Sequence, residues 1–340
     1  MLGRLRLLVM LSAALAVTAT AAAEQLTPTE QRAAIDAAAT LIEQRYVDPD
    51  RGRSIARALR QSRGAWAAPI EADQFAAQVT KLLRDVSKDG HLGLSYSATP
   101  LPEETGEAEF NAAEMLNWYG PQLNHGVERI ERLAGNIMLL DLRVFPPAEM
   151  AGDVFAAAMT VVAQGDALII DLRRNGGGAD TANLVIGYLV PGGSPLSGAY
   201  DRPSNTTTPN QSPSWVPGRR FGATKPVFIL TSHRTFSAAE SVAYDLQALK
   251  RATIIGETTG GGAHPFEYRR IHPHFAVDLP EARSINPITG TNWQGVGVKP
   301  DVAVRADQAL DTAIALARAA IDKARAAIEK GRSELASHAQ

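Results

Sequence analysis

The chain has 340 residues, 36 of them acidic and 34 basic, for a formal net charge of −2, with 45% hydrophobic residues and no cysteine. Without a thiol there is no disulfide, no cysteine nucleophile and no zinc–thiolate site, and the near-balanced charge argues against nucleic acid as a partner. The length supports one large domain, or one with a small appendage.

Residues 1–23, MLGRLRLLVMLSAALAVTATAAA, carry Arg4 and Arg6, a short apolar run and an A-x-A ending at Ala23. This is the pattern of a secretory signal peptide cleaved before Glu24, and it predicts a periplasmic or secreted protein. The apolar run is too short for a convincing membrane span, and no later stretch approaches that length. Residues 24–88 predict a small helical bundle. TPTEQRAAIDAAATLIEQRY, DRGRSIARALRQS and EADQFAAQVTKLLRDVS hold apolar residues at three- and four-residue spacing, with turn signals at Asp48-Pro49 and Pro69.

The pattern changes at DGHLGLSYS, where Leu92, Leu94 and Tyr96 alternate as in a half-buried strand. Residues 98–130 have weak periodicity and carry no assignment. NIMLLDLRVF, DALIIDLR, PVFIL and ATIIGE are continuous apolar strands, and AGDVFAAAMTVVAQ and the run after Ser237 are helical. Apolar strands alternating with helices predict an α/β core over residues 89–305 with a mainly parallel sheet covered on both faces. Six prolines between Pro191 and Thr224 predict a long structureless insertion, of the kind that serves as a lid over a site. The Ala-rich stretch from Gln308 to about Ala336 predicts a terminal helix, within a last segment of 306–340.

Strands of a parallel sheet deliver ligand-binding loops at their carboxyl ends. Three pieces fall there: DLRRNGGGAD, Ser237, and GETTGGGAHP. Ser237 with Glu240 is an S-x-x-E capping box, so the hydroxyl reads either as a helix cap or as a nucleophile. The Asn175-Gly176-Gly177-Gly178 run lets peptide N–H groups approach a ligand closely; alternatively it is a turn before a helix capped by Asp180. Neither phosphate-binding glycine fingerprint is present. A serine nucleophile needs a base, and His91, His233, His264, His272 and His274 are the candidates.

In order and spacing, DGHLGL, LIIDLRRNGGGADTANLV, LTSHRTFSAAES, ATIIGETTGGGAHP and NWQGVGVKPDV resemble the S41 family of serine peptidases over about residues 28–305. The closer likeness is to the branch related to interphotoreceptor retinoid-binding protein and the tricorn core, without a PDZ domain. The resemblance implies a ClpP/crotonase-like core, a peptide or protein substrate and no cofactor or metal. It makes Ser237 the nucleophile, His91 the general base, and the N–H groups of Gly177 and Ala238 the oxyanion hole. Three positions depart from the pattern. Gly262 stands where the processing peptidases carry a lysine base, which excludes a Ser–Lys dyad at that loop. Gln294 stands where tricorn-like members carry the glutamate that orients the histidine, and Gly90 where they carry a serine. An amide can accept the imidazole N–H but stabilises imidazolium less than a carboxylate does. The alternatives are a catalytically weak or inactive binding module for an apolar ligand or peptide, and hydrolysis of small esters.

Overall fold

A computed structural model describes residues 25–102 and 112–338; the predicted signal peptide lies outside the described residues. The chain enters as a two-residue strand β1 (Gln25–Leu26), followed by α1 (Pro28–Arg45), α2 (Pro49–Gln61), the short β2 (Ile70–Glu71), which pairs antiparallel with β1, and α3 (Ala72–Ser87). Both first helices begin as local chemistry dictates. Thr27 and Glu30 close a capping box on α1, Asp48 accepts from the N–H groups of Asp50 and Arg51, and Pro28 and Pro49 fill the N1 positions.

The sequence continues through β3 (Gly93–Tyr96), α4 (Ala112–Tyr119), β4 (Val127–Leu133), β5 (Ile137–Leu142), α5 (Ala148–Val162), β6 (Ala167–Asp171) and α6 (Thr181–Gly187). Next come β7 (Pro195–Asp201), β8 (Thr206–Gln211), β9 (Val227–Thr231), α7 (Ala238–Ala248) and β10 (Thr253–Gly256). The last elements are β11 (Phe266–His272), β12 (Phe275–Pro280), β13 (Ala282–Ile285), β14 (Val302–Ala303) and α8 (Ala309–His338).

The main sheet has the order β14-β10-β9-β6-β5-β4, parallel throughout except that β4 runs antiparallel to β5. Its apolar runs are continuous because alternate residues serve opposite faces. Met138, Leu140, Leu168, Ile170 and Ile229 join the α5, α6 and α7 side. Ile137, Leu139, Ile169, Phe228 and Leu230 meet Ala309, Ala313, Ala317 and Ile321, a four-residue stripe of α8. The N-terminal helices do not close a core of their own. Ile35, Ile42, Leu59, Phe75 and Leu83 share one cluster with Leu92, just before β3, and with Leu94, Phe275, Val277 and Leu279 of the antiparallel sheet β11-β12-β3.

The expected structureless insertion is corrected by the structure. β7 and β8 form an antiparallel hairpin, and β13 pairs with the other edge of β7. β8 is an edge strand whose residues are nearly all exposed, which is why it is written in Thr and Asn and tolerates Pro209. Gly198 permits the pairing, since a Cβ there would lie 2.3 Å from the Thr208 carbonyl oxygen. The hairpin is fastened to α7: the buried Asp245 carboxylate accepts from the Ser197 N–H at 3.1 Å and from Asn286 Nδ2 at 2.9 Å. Arg220 and Arg251 bind the following segment by donating to main-chain carbonyls of Gly187, Val190, Leu189 and Gly222. Asp180 is corrected as well. Its carboxylate accepts the Ala148 N–H at 2.7 Å, so it closes the start of α5 and leaves α6 uncapped by its side chain.

Candidate active site

The carboxyl ends of β6, β9 and β10 bring the loops 172–180, 232–237 and 257–265 to one edge of the main sheet. Ser237 sits between β9 and α7 with φ 54° and ψ −122°. Helix caps take extended angles; a non-glycine residue at these values is strained by about 1–3 kcal/mol. The conformation is that of a serine thrust outward on a sharp strand-to-helix turn. Its Oγ lies 3.0 Å from His91 Nε2, across 146 residues of sequence. The carboxylate half of the predicted capping box is formed, with Glu240 Oε2 accepting the Ser237 N–H at 2.9 Å.

Glu240 does more than cap. Fully buried, it also accepts the N–H groups of Gly261 at 2.7 Å and Gly262 at 2.8 Å and the Thr259 hydroxyl. One carboxylate therefore ties the serine turn to the glycine-rich loop after β10. Burial pushes its pKa up, against the pull of these donors.

Asn175 performs the matching task for the NGGG loop. Fully buried, it accepts the Phe236 N–H on its carbonyl at 3.1 Å and donates Nδ2 to the Leu142 carbonyl at 3.2 Å. Its Oδ1 accepts the Gly177 N–H at 2.8 Å. Gly177 has φ 102°, and a Cβ there would lie 2.6 Å from Ser237 Cβ and 2.9 Å from the Ala238 nitrogen, so only glycine lets the two loops meet. Of the two expected oxyanion donors, Ala238 N–H makes no hydrogen bond among the described residues, whereas the Gly177 N–H is engaged by Asn175.

His91 is buried and held by ring contacts to Phe236 at 4.7 Å and Phe266 at 5.4 Å between centroids. Phe236 lies in a slot walled by three glycines from two loops. A Cβ on Gly90 would come within 2.8 Å of its ring, one on Gly260 within 2.8 Å, and one on Gly262 within 2.2 Å. The Gly262 Cβ would also lie 2.8 Å from His91 Cε1. The two departures at positions 90 and 262 thus have one physical cause: the ring beside the histidine takes the space that side chains would need.

Burial lowers the His91 pKa to about 4, with Asp89 opposing the shift, so the ring is neutral at pH 7. Gln294 makes no hydrogen bond to it. Its Oε1 accepts the Ala263 N–H at 2.7 Å, and its Nε2 is buried without a partner among the described residues. The other histidines are placed elsewhere. His264 Nδ1 is 2.7 Å from Asp89, exposed His233 is 3.2 Å from Glu257, and His274 Nδ1 is 2.8 Å from the Ser97 carbonyl. The sequence reading passed over Asp89 and Phe236, and gave Asn175 no role beyond its place in the glycine run. Asp89 had one local signal, its place two residues before His91; the slot around Phe236 had none, being assembled from separate loops.

A serine hydroxyl bonded to a neutral, buried imidazole at a sheet edge can attack a carbonyl, with the free Ala238 N–H alongside. Peptidase family S41 matches residues 136–304. A carboxy-terminal-processing protease of Bartonella bacilliformis is 36% identical over 80 residues, 24% of this chain and 18% of that protein, so the match spans less than a fifth of the relative's length. A lipoprotein from Streptococcus agalactiae has the same fold, with TM-score 0.58 and 15% identity over 85% of this chain and 96% of that one. The tricorn protease has it too, with TM-score 0.56 and 14% identity over 88% of this chain and 37% of its own. Through residues 136–304, this chain belongs to peptidase family S41.

Proposed function

We propose that the protein is an exported, periplasmic or secreted serine peptidase that cleaves peptides through a Ser237–His91 acyl-enzyme route. The observation that carries the reading is the 3.0 Å contact between His91 Nε2 and the Oγ of a serine held at φ 54°. Location rests on the sequence of residues 1–23 alone; no helix among the described residues is long and apolar enough to cross a membrane.

Ser237 Oγ attacks the scissile carbonyl carbon while its proton passes to His91 Nε2. The carbonyl electron pair moves onto oxygen, where the Ala238 N–H stabilises it, joined by the Gly177 N–H when that donor is shared between Asn175 and the oxyanion. Collapse breaks the C–N bond, and His91 returns the proton to the leaving amine. Water attacks the acyl-serine by the reverse proton path, releasing the new carboxyl group and restoring the hydroxyl. No step calls on a cofactor.

A fluorophosphonate probe tests the reading without a known substrate, because labelling requires an activated serine. Wild type should label at Ser237, Ser237→Ala should not label, and His91→Ala should slow labelling at least 10²-fold, the lower end of what a general base contributes. A folded wild type that resists the probe while retaining peptide binding would make the chain a binding module.

A further inference from the structure

The imidazole needs a partner on Nδ1. For Nε2 to accept the serine proton, the neutral ring must carry its hydrogen on Nδ1, and a group that accepts that hydrogen selects this tautomer. Gln294 has the wrong polarity for the task. The Ala263 N–H fixes the amide oxygen at 2.7 Å, which leaves the donor Nε2 as the free end. Gln294 makes no hydrogen bond to His91 among the described residues, and its free end is a donor, which cannot accept an Nδ1 hydrogen.

Asp89 has the right polarity. Its carboxylate is fully buried and fixed by three donors: the Tyr46 hydroxyl at 2.9 Å and His264 Nδ1 at 2.7 Å, both on Oδ2, and the His91 N–H at 3.0 Å on Oδ1. Burial pushes its pKa up, but His264 and then His91 outweigh it and hold the carboxyl below the usual carboxylate range. Each carboxylate oxygen accepts two hydrogen bonds, so the open acceptor is on Oδ1. That atom lies 3.9 Å from His91 Nδ1, itself a buried nitrogen without a hydrogen-bond partner among the described residues. The unfilled acceptor and the unpartnered nitrogen are thus 3.9 Å apart in one buried site.

We propose that Asp89, and not Gln294, is the positioning residue that holds His91 in the tautomer and orientation of a general base. The inference rests on the Ser237–His91 reading above. It places the negative charge two residues before the base, on the same turn, where Tyr46 of the N-terminal helices and His264 of the glycine-rich loop both anchor it. The absence of a carboxylate at position 294 then leaves the site still equipped with one.

The test uses the full chain, with two independent readouts. Nitrogen-15 NMR of the histidines at pH 7.5, with His91 assigned from the His91→Gln variant, reports which nitrogen carries the hydrogen. Wild type should show Nδ1–H, and Asp89→Asn should lose that preference. Fluorophosphonate labelling should slow about 10²-fold in Asp89→Asn, below the roughly 10⁴ seen where the carboxylate is bonded directly to the histidine. It should change less than about threefold in Gln294→Ala. Tyr46→Phe removes a donor but keeps the charge, so it should lower the melting temperature and leave labelling within the same threefold. Wild-type His91 protonated on Nε2 overturns the proposal even if Asp89→Asn does not fold. Equal labelling of Asp89→Asn and wild type overturns it, as does a Tyr46→Phe or Gln294→Ala defect as large as that of Asp89→Asn. Failure of the Ser–His reading looks different: His91→Ala labels as fast as wild type, while the tautomer measurement still decides what Asp89 does.

Discussion

Replacing Gly262 by alanine adds one methyl group at the point where the serine turn, the histidine and the glycine-rich loop converge. The new Cβ would lie 2.2 Å from Phe236 Cζ, 2.5 Å from Cε2 and 2.8 Å from His91 Cε1. Ordinary carbon contacts begin near 3.5 Å, so the histidine contact alone must open by about 0.7 Å. Phe236 cannot yield, since Gly90 and Gly260 already leave it no spare volume on its other sides. The displacement falls on His91, whose Nε2 sits 3.0 Å from Ser237 Oγ and leaves hydrogen-bond reach beyond about 3.2 Å. Overpacking of this kind costs about 1–3 kcal/mol of stability, and loss of the base contact should slow fluorophosphonate labelling about 10²-fold. Shrinking the obstructing ring in Phe236→Ala/Gly262→Ala should restore part of both. The assay is labelling rate alongside thermal melting for wild type, the single variant and the double variant. Wild-type labelling and an unchanged melting temperature in Gly262→Ala would refute the steric argument. So would a double variant worse than the sum of its parts.

Three further outcomes follow from the charges. Because burial lowers the His91 pKa to about 4 from 6.5, the acid limb of labelling should fall near pH 4, and a midpoint near 6.5 would show a solvated ring. The unfolded chain takes up that proton at higher pH than the folded one, so this contribution to stability is complete above about pH 6.5 and is lost as pH falls through about 4. Asp278 has the opposite sign: burial first, relieved by the Ser95 hydrogen bond and by Arg84, raises its pKa from 3.8 to about 6. Its favourable contribution is complete below pH 3.8 and is lost as pH rises through about 6. Asp278→Asn should therefore stabilise the protein by about 1–3 kcal/mol at pH 7.5 in denaturant titrations and by nothing measurable at pH 4. Gln294→Glu keeps an oxygen for the Ala263 N–H and turns the buried, unpartnered Nε2 into an acceptor. It should raise the labelling rate in the Asp89→Asn background more than in wild type, and equal effects in both would place residue 294 away from the histidine.

Features whose cause is local, or is repeated along the chain, are legible in the residues alone. A strand buried on both faces is apolar along most of its length, so residues 137–142, 167–171 and 227–231, with polar residues only toward their carboxyl ends, declare themselves without knowledge of their neighbours. The alanine stripe of α8 does the same through its four-residue period. Tertiary structure decided the rest. The β7–β8 hairpin was illegible because an exposed edge strand carries no apolar signature, and its partner β13 lies some eighty residues further on. Ser237 was ambiguous because S-x-x-E satisfies the same backbone donors in a plain cap and in this turn. What separates the two readings is a backbone at φ 54° and a histidine 146 residues away. Gly262, Phe236 and Asp89 acquire meaning only when three loops meet at the sheet edge. Backbone propensity acts over a few residues, whereas a 3.0 Å contact between distant loops is set by the packing of the whole sheet and the helices that cover it.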